Sequence, residues 1–214
     1  MLATLSPSKP KSQASAKRKN TLARVVLEIL ALAFISIGLL EGLLYLCGLG
    51  EQECRMPDAT LGWHYPAGKM VGYRREGYSR DCINSKGLRD IEHTIAKPEH
   101  VFRIALLGDS ATAAMQVPME ATTARLLENA LNAQAKEKHL KRRFEVLNFG
   151  CIGYSTAQEL VQYETLVSKY APDLVVLMYT SGDAGESVLP FTDRLNAPPR
   201  PYFYLDHQGN LQED

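Results

Sequence analysis

Three short, uninterrupted apolar runs, FRIALL (Phe102 to Leu107), FEVLNFG (Phe144 to Gly150) and LVVLMY (Leu174 to Tyr179), alternate with segments whose apolar residues recur at helical spacing. A run of strand length without polar alternation predicts a strand buried on both faces, and the intervening amphipathic helices predict a parallel sheet. After the first run, Leu126, Leu127, Ala130 and Leu131 define a helix's apolar face. After the second, Thr156 with Glu159 three residues on reads as a capping box, opening a helix whose Leu160, Tyr163, Leu166, Val167 and Tyr170 share a side. Ala171-Pro172-Asp173 closes that helix. The expected fold class is α/β, a three-layer α/β/α parallel sheet over residues 100–214.

The beginning of the chain follows another pattern. Val25 to Leu46 (VVLEILALAFISIGLLEGLLYL) is apolar except for Glu28, Ser36 and Glu41. As a helix, these residues span about 33 Å against a hydrocarbon core of about 30 Å, so residues 25–46 read as one transmembrane helix. Residues 1–24 are expected to be a disordered basic tail. The polar, Gly- and Tyr-containing stretch 47–99 is expected to be a linker with short strands and turns. Six of the 24 basic residues precede Glu28, the first acidic residue, leaving 18 basic against 24 acidic for the rest. That asymmetry predicts a cytoplasmic N-terminus and an extracytoplasmic main domain, and it argues against nucleic acid as a partner.

In parallel sheets ligands gather at the carboxyl ends of the strands. Gly108-Asp109-Ser110, Gly150 to Ser155 and Ser181-Gly182-Asp183 all fall at that edge. A serine at a strand-to-helix turn can present its hydroxyl to a substrate and its own N–H to an oxyanion, which suits acyl transfer. Gly153 has no side chain to keep its N–H from a substrate.

The blocks INSKGLRD (Ile83 to Asp90), FRIALLGDS (Phe102 to Ser110), NFGCIGYSTAQEL (Asn148 to Leu160) and YAPDLVVLMYTSGD (Tyr170 to Asp183) resemble, in order and spacing, the SGNH (GDSL-type) hydrolases. PYFYLDHQGNL (Pro201 to Leu211) resembles a hairpin that interrupts membrane-tethered members. The resemblance covers residues 55 to 214 and implies a flavodoxin-like sheet, an ester-hydrolase or acyltransferase activity, and envelope carbohydrate or lipid esters as substrates. It implies Ser110 as nucleophile and the N–H groups of Ser110 and Gly153 as oxyanion donors. Asp183 stands where the family has an oxyanion asparagine, and an ionised carboxylate donates no hydrogen bond. The family's Asp-x-x-His block, source of the general base, is expected beyond Asp214, leaving the sheet incomplete at the C-terminus. A catalytically inactive domain that binds an envelope polymer or protein is the alternative.

Other polar residues carry less. Asp206-His207 lies in a Gly-Asn turn, the expected tip of the hairpin. Solvated surface is expected for His64, His93, His100 and His139. The basic run Lys136 to Arg143 reads as a solvated helix end. Cysteines 47, 54, 82 and 151 lack metal-ligand spacing, and no glycine-rich nucleotide motif is present, so neither a metal nor a cofactor is expected. An extracytoplasmic location would allow Cys54 and Cys82 to pair as a disulfide.

Overall fold

The computed structural model describes residues 11–47, 54–74, 76–188 and 199–213. It divides into two units, residues 1–51 and 52–214. The first unit is one helix, α1 (Lys11–Leu46), within which Ala23–Leu46 is long and apolar enough to cross a membrane. Residues from Lys11 onward, expected to be unstructured, are helical. Ser, Ala, Gln, Lys and Arg without an internal proline extend a helix at small cost. Residues 1–10 of the expected tail lie outside the described residues. The Ser36 hydroxyl is satisfied within the helix, donating to the Leu32 carbonyl at 2.8 Å. Arg24 pairs with Glu28 at 3.0 Å.

The second unit begins with two antiparallel hairpins, β1 (Met56–Asp58) with β2 (Gly62–His64), and β3 (Met70–Tyr73) with β4 (Ser79–Cys82). Then follow β5 (Val101–Gly108), α2 (Ser110–Ala113), α3 (Thr123–Glu137), β6 (Arg143–Asn148), α4 (Thr156–Thr165), β7 (Leu174–Met178), α5 (Asp183–Glu186), and a third hairpin, β8 (Phe203–Leu205) with β9 (Leu211–Glu213). The three apolar runs form a parallel sheet in the order β6-β5-β7. The fold is thus mixed α/β, and the chain reverses its direction of travel across the sheet at β5.

Alternate residues of β5 and β6 face opposite layers, as the period of a strand requires. Ile104, Leu106 and Val146 pack with Ala124, Leu127 and Leu131 of α3. Ala105, Leu107, Leu147 and Phe149 pack with Leu88, Val167 and Tyr170. The buried stripe of α3 therefore runs through Ala124, Leu127, Leu131 and Ala135, whereas Leu126 and Ala130, expected to face the core, are exposed. Arg125 is also buried and pairs with Glu128 at 2.9 Å, which rotates the helix relative to the purely apolar reading. Leu174, Val175 and Leu177 on β7 are exposed, so this strand is not covered as the other two are.

The helix opened after β6 is capped one residue earlier than expected. Ser155 is its N-cap and Gln158 Oε1 accepts from the Ser155 N–H at 3.1 Å, so Glu159 lies beyond the cap and turns inward. Leu166 interrupts the helix, and Val167–Tyr170 form a separate 3-10 turn that ends at Ala171 in a left-handed conformation.

Residues 54–74 and 76–92, expected to be a linker, are packed into the second unit. Tyr65, Val71 and Ile83 share one apolar cluster with Ala113, Met115, Cys151 and Tyr154. Cys54 lies against this cluster while Cys82 is exposed on β4, and no disulfide joins them.

One buried cation stitches the sheet. Arg103 of β5 is fully buried, pairs with Glu145 at 2.8 Å, and donates to the carbonyls of Ile95 and Tyr170, each at 2.9 Å. Arg103→Met leaves Glu145 only its partner Arg143 and strands Glu145 Oε2 and those carbonyls, so a loss of about 3 kcal/mol is expected. Urea unfolding should show the midpoint falling with little change in slope.

Candidate active site

Ser110 is the first residue of α2, directly past the end of β5. A Cβ on Gly108 would lie 2.0 Å from Thr112 Oγ1 and 3.2 Å from Met178 Cβ, so a side chain cannot fit where the chain leaves the strand. Asp109 caps the turn, its Oδ1 accepting from the Ala111 N–H at 2.8 Å. The Ser110 side chain is half-buried, and no described residue hydrogen-bonds its hydroxyl.

A one-turn helix needs help from outside, because its terminal carbonyls have no partners within it. Arg89 supplies it. Its Nη1 donates to the carbonyls of Ala113 and Ala114 at 2.9 Å each, and its Nη2 reaches the Val117 carbonyl and the Asp81 carboxylate. Ala114 itself closes α2 at φ 51°, donating its N–H to the Ser110 carbonyl at 2.9 Å.

The turn after β6 lies against α2. A Cβ on Gly150 would sit 2.3 Å from the Ala113 nitrogen, and the Cys151 N–H donates to the Gly108 carbonyl at 3.0 Å. The first hairpin brackets this turn. Trp63 Nε1 donates to the Ile152 carbonyl at 2.9 Å, the Ile152 N–H donates to the Tyr65 hydroxyl at 2.9 Å, and the Tyr154 hydroxyl donates to the Trp63 carbonyl at 2.7 Å. Gly153 lies at φ 77°, and its carbonyl accepts from Arg200 Nη1 at 3.3 Å. A cavity of about 250 Å³ opens beside the turn, lined in part by His64, Lys86, Cys151, Tyr154 and Gln162. Burial pushes the Cys151 thiol up to about 12, so it stays protonated and does not compete as a nucleophile.

The third turn brings carboxyl groups together. Asp183 is buried, with Oδ2 accepting from the Thr180 N–H at 2.8 Å and Oδ1 lying 3.0 Å from Thr180 Oγ1. The same Oγ1 is 3.3 Å from Asp109 Oδ2, so Thr180 links the turn after β7 to the turn that carries Ser110. Glu159 joins this group from α4. It is 1% exposed, and neither of its side-chain oxygens has a hydrogen-bond partner. Burial, reinforced by the charges of Asp183 and Asp109, pushes its carboxyl up to about 7. Among the described residues no group of three or more His, Cys, Asp or Glu is arranged to hold a metal ion.

Sequence reading singled out Ser110, Gly153 and Asp183. It did not find Arg89 as the clamp of α2, Thr180 as the link, or Glu159 as an interior acid. Polar residues read as solvated unless a pattern says otherwise, and the capping-box spacing assigned Glu159 to a helix end. Two histidines also depart from expectation. The His93 ring is buried with Nε2 3.2 Å from Asp90 Oδ2, and half-buried His64 has Nδ1 2.7 Å from the Tyr65 carbonyl. Both are drawn in by the packing of residues 54–74 and 76–92. His100 and His139 are exposed, as is the run from Lys136 to Arg143, and His207 lies in the tip of the third hairpin.

No model of a known protein family matches the chain, and no curated protein matches it.

The interior acid gives a stability signature. Its folded value is raised from an ordinary 4.5 to about 7, so the native state holds a proton that the unfolded chain has released. This contribution is fully present below the unfolded value and is lost as pH rises through the folded one. Each unit of that window corresponds to about 1.4 kcal/mol. Melting temperature followed from pH 4.5 to 8 should therefore fall in the native chain. Glu159→Gln, which cannot ionise, should flatten that dependence and be the more stable of the two at the alkaline end.

Proposed function

We propose that this chain is a membrane-anchored serine ester hydrolase or acyltransferase of the SGNH kind, acting outside the cytoplasmic membrane on acyl esters of envelope carbohydrate or lipid. The observation that carries the reading is the placement of Ser110. It opens a clamped one-turn helix at the carboxyl end of the central strand, with its hydroxyl unengaged by any described residue. The ordered blocks that resemble the SGNH hydrolases add to it. Basic residues ahead of Ala23–Leu46 support the proposed orientation, with the second unit outside.

In this reading Ser110 Oγ attacks the ester carbonyl, and the N–H groups of Ser110 and Gly153 receive the developing oxyanion. The alcohol leaves, and water or a second alcohol then takes the acyl group from Ser110. Proton removal requires a base within hydrogen-bond reach of the hydroxyl. The family's Asp-x-x-His block is the proposed source. Asp183 Oδ2 accepts from the Thr180 N–H, so the reading counts two oxyanion donors, the N–H groups of Ser110 and Gly153; a missing donor typically costs about 10²- to 10³-fold.

That same feature favours a second reading, an anchored domain that keeps the fold to bind an envelope polymer or protein. A fluorophosphonate probe separates the two. Labelling of the full-length protein in membranes should map to Ser110, and Ser110→Ala should abolish both labelling and ester hydrolysis, a drop on the order of 10³-fold or more. A protein that stays unlabelled at Ser110 and hydrolyses no acetyl ester is the binding domain instead.

A further inference from the structure

At the end of the sheet opposite Ser110, three pieces of chain enclose an open cleft of about 590 Å³. The last turns of α3 supply Lys136, the loop returning to β6 supplies Lys141, Arg142 and Arg143, and the approach to β5 supplies Glu99 and His100. Glu99 is the one acid among the described lining residues. This excess of cations runs against the rest of the chain. Positions 136 to 143 hold five of the 18 basic residues that follow Glu28, but one of the 24 acidic ones.

The backbone of the cleft is held by its own bonds. With His139 at φ 50°, the Leu140 N–H donates to the Ala135 carbonyl at 2.9 Å and turns the loop back against α3. The Arg143 N–H donates to the His100 carbonyl at 2.9 Å, tying the approaches to β5 and β6 together. Asn132 fastens α3 to β6, its Oδ1 accepting from the Phe144 N–H and its Nδ2 donating to the Phe144 carbonyl, each at 2.9 Å. The Arg142 guanidinium stands over the Phe102 ring, 5.4 Å from its centre. Free carbonyls at a helix end would repel an anion. Here those of Gln134, Ala135 and Lys136 already accept from the N–H groups of Lys138, Leu140 and His139.

Lys136, Lys141 and Arg142 enter none of the described ion pairs, and Arg143 shares Glu145 with Arg103. Cations gathered around a concavity raise the local concentration of anions, and the volume lies in the range of ligand sites. A terminal phosphate brings about two negative charges and three acceptor oxygens, so it meets several such donors at once, where a carboxylate brings one charge. We propose that the cleft binds a soluble ligand carrying two or more phosphate groups, held by Lys136, Lys141, Arg142 and Arg143. The eight residues of β5 separate this site from Ser110, so it stands or falls apart from the serine reading.

The test is a calorimetric titration of the full chain, held in nanodiscs of zwitterionic lipid, with tripolyphosphate at low and at physiological salt. Binding should saturate at one site per chain and weaken as salt is raised. Lys136→Gln combined with Lys141→Gln breaks no described side-chain hydrogen bond or ion pair, and it should weaken binding about tenfold. Lys138→Gln, in the same basic run but outside the lining of the cleft, should change affinity by no more than about twofold. Absence of saturable binding at low salt overturns the proposal. So does an equal loss from Lys138→Gln, which would reduce the interaction to net charge. Citrate binding as tightly as tripolyphosphate overturns the assignment to phosphate. Amine-reactive labelling of Lys136 and Lys141 that falls only when the discs contain phosphatidylglycerol, with no effect of tripolyphosphate, would make the cleft a membrane contact and refute a soluble ligand.

Discussion

The site depends on where one buried guanidinium finds its partners. Arg89 is 1% exposed, and a charge that far from water stays only if its donors are used. Three of its acceptors, the carbonyls of Ala113, Ala114 and Val117, lie at and just beyond the end of α2, and the fourth is the Asp81 carboxylate on β4. A helix of four residues has too few internal bonds to define itself. Arg89 therefore does two jobs at once. It supplies the donors that the end of α2 lacks, and it ties the turn bearing Ser110 to the second hairpin. The Ser79 hydroxyl repeats the connection, donating to the Met115 carbonyl at 2.7 Å.

Buried charge is handled in two ways around the sheet. Arg103 near the start of β5 pairs with Glu145, and Arg125 of α3 pairs with Asp90 at 3.3 Å beside the end of β6. These pairs restrain the register of β5 against β6 and of α3 against the sheet. For Asp109, Asp183 and Glu159 the described residues offer no such pairing; Asp109 and Asp183 accept from the N–H groups of Ala111 and Thr180 instead, and Glu159 has no hydrogen-bond partner. A paired ion is compensated where it sits, whereas a buried carboxyl without a donor gains affinity for protons, as Glu159 does at about 7. The ion pairs thus form a fixed frame, and Glu159 is a group whose protonation changes close to neutrality.

What the sequence revealed follows the same division. The apolar runs beginning at Phe102, Phe144 and Leu174 coincide with β5, β6 and β7 to within a residue or two, because strands of a parallel sheet carry little polar alternation to obscure them, β7 included although its residues are exposed. The turns at their ends were legible for the same reason, and with them Ser110 as the residue leaving the central strand. Helix faces were read less well. Leu126 looked interior by composition, but Arg125 occupies the buried stripe and shifts the face. The cap of α4 was misplaced by one residue, since Ser155 and Thr156 are equally good capping residues and only the position of Gln158 separates them. Buried polar residues were the least legible of all. Nothing in the spacing of Arg89, Thr180 or Glu159 distinguishes a side chain that bonds inward from one that meets water.

Residues 54–74 and 76–92 are the largest case of that blindness. Their composition is polar and their strands are three or four residues long, so they read as connecting chain. In the fold they pack against the turns that follow β5 and β6. Tyr65 and Trp63 exchange hydrogen bonds with the turn after β6, Gln158 Nε2 donates to the Leu61 carbonyl at 2.7 Å, and Asp90 Oδ2 accepts from the Asn148 N–H at 2.8 Å at the very end of β6. A three-stranded sheet can aim its strand ends, but it cannot by itself fix the loops that leave them. The hairpins and the Arg89 stretch supply that constraint through bonds between residues up to 97 positions apart in sequence. The site is therefore assembled only when the polar segment ahead of the sheet has docked, which makes the order of Ser110 and Gly153 a property of tertiary packing more than of either loop's own sequence.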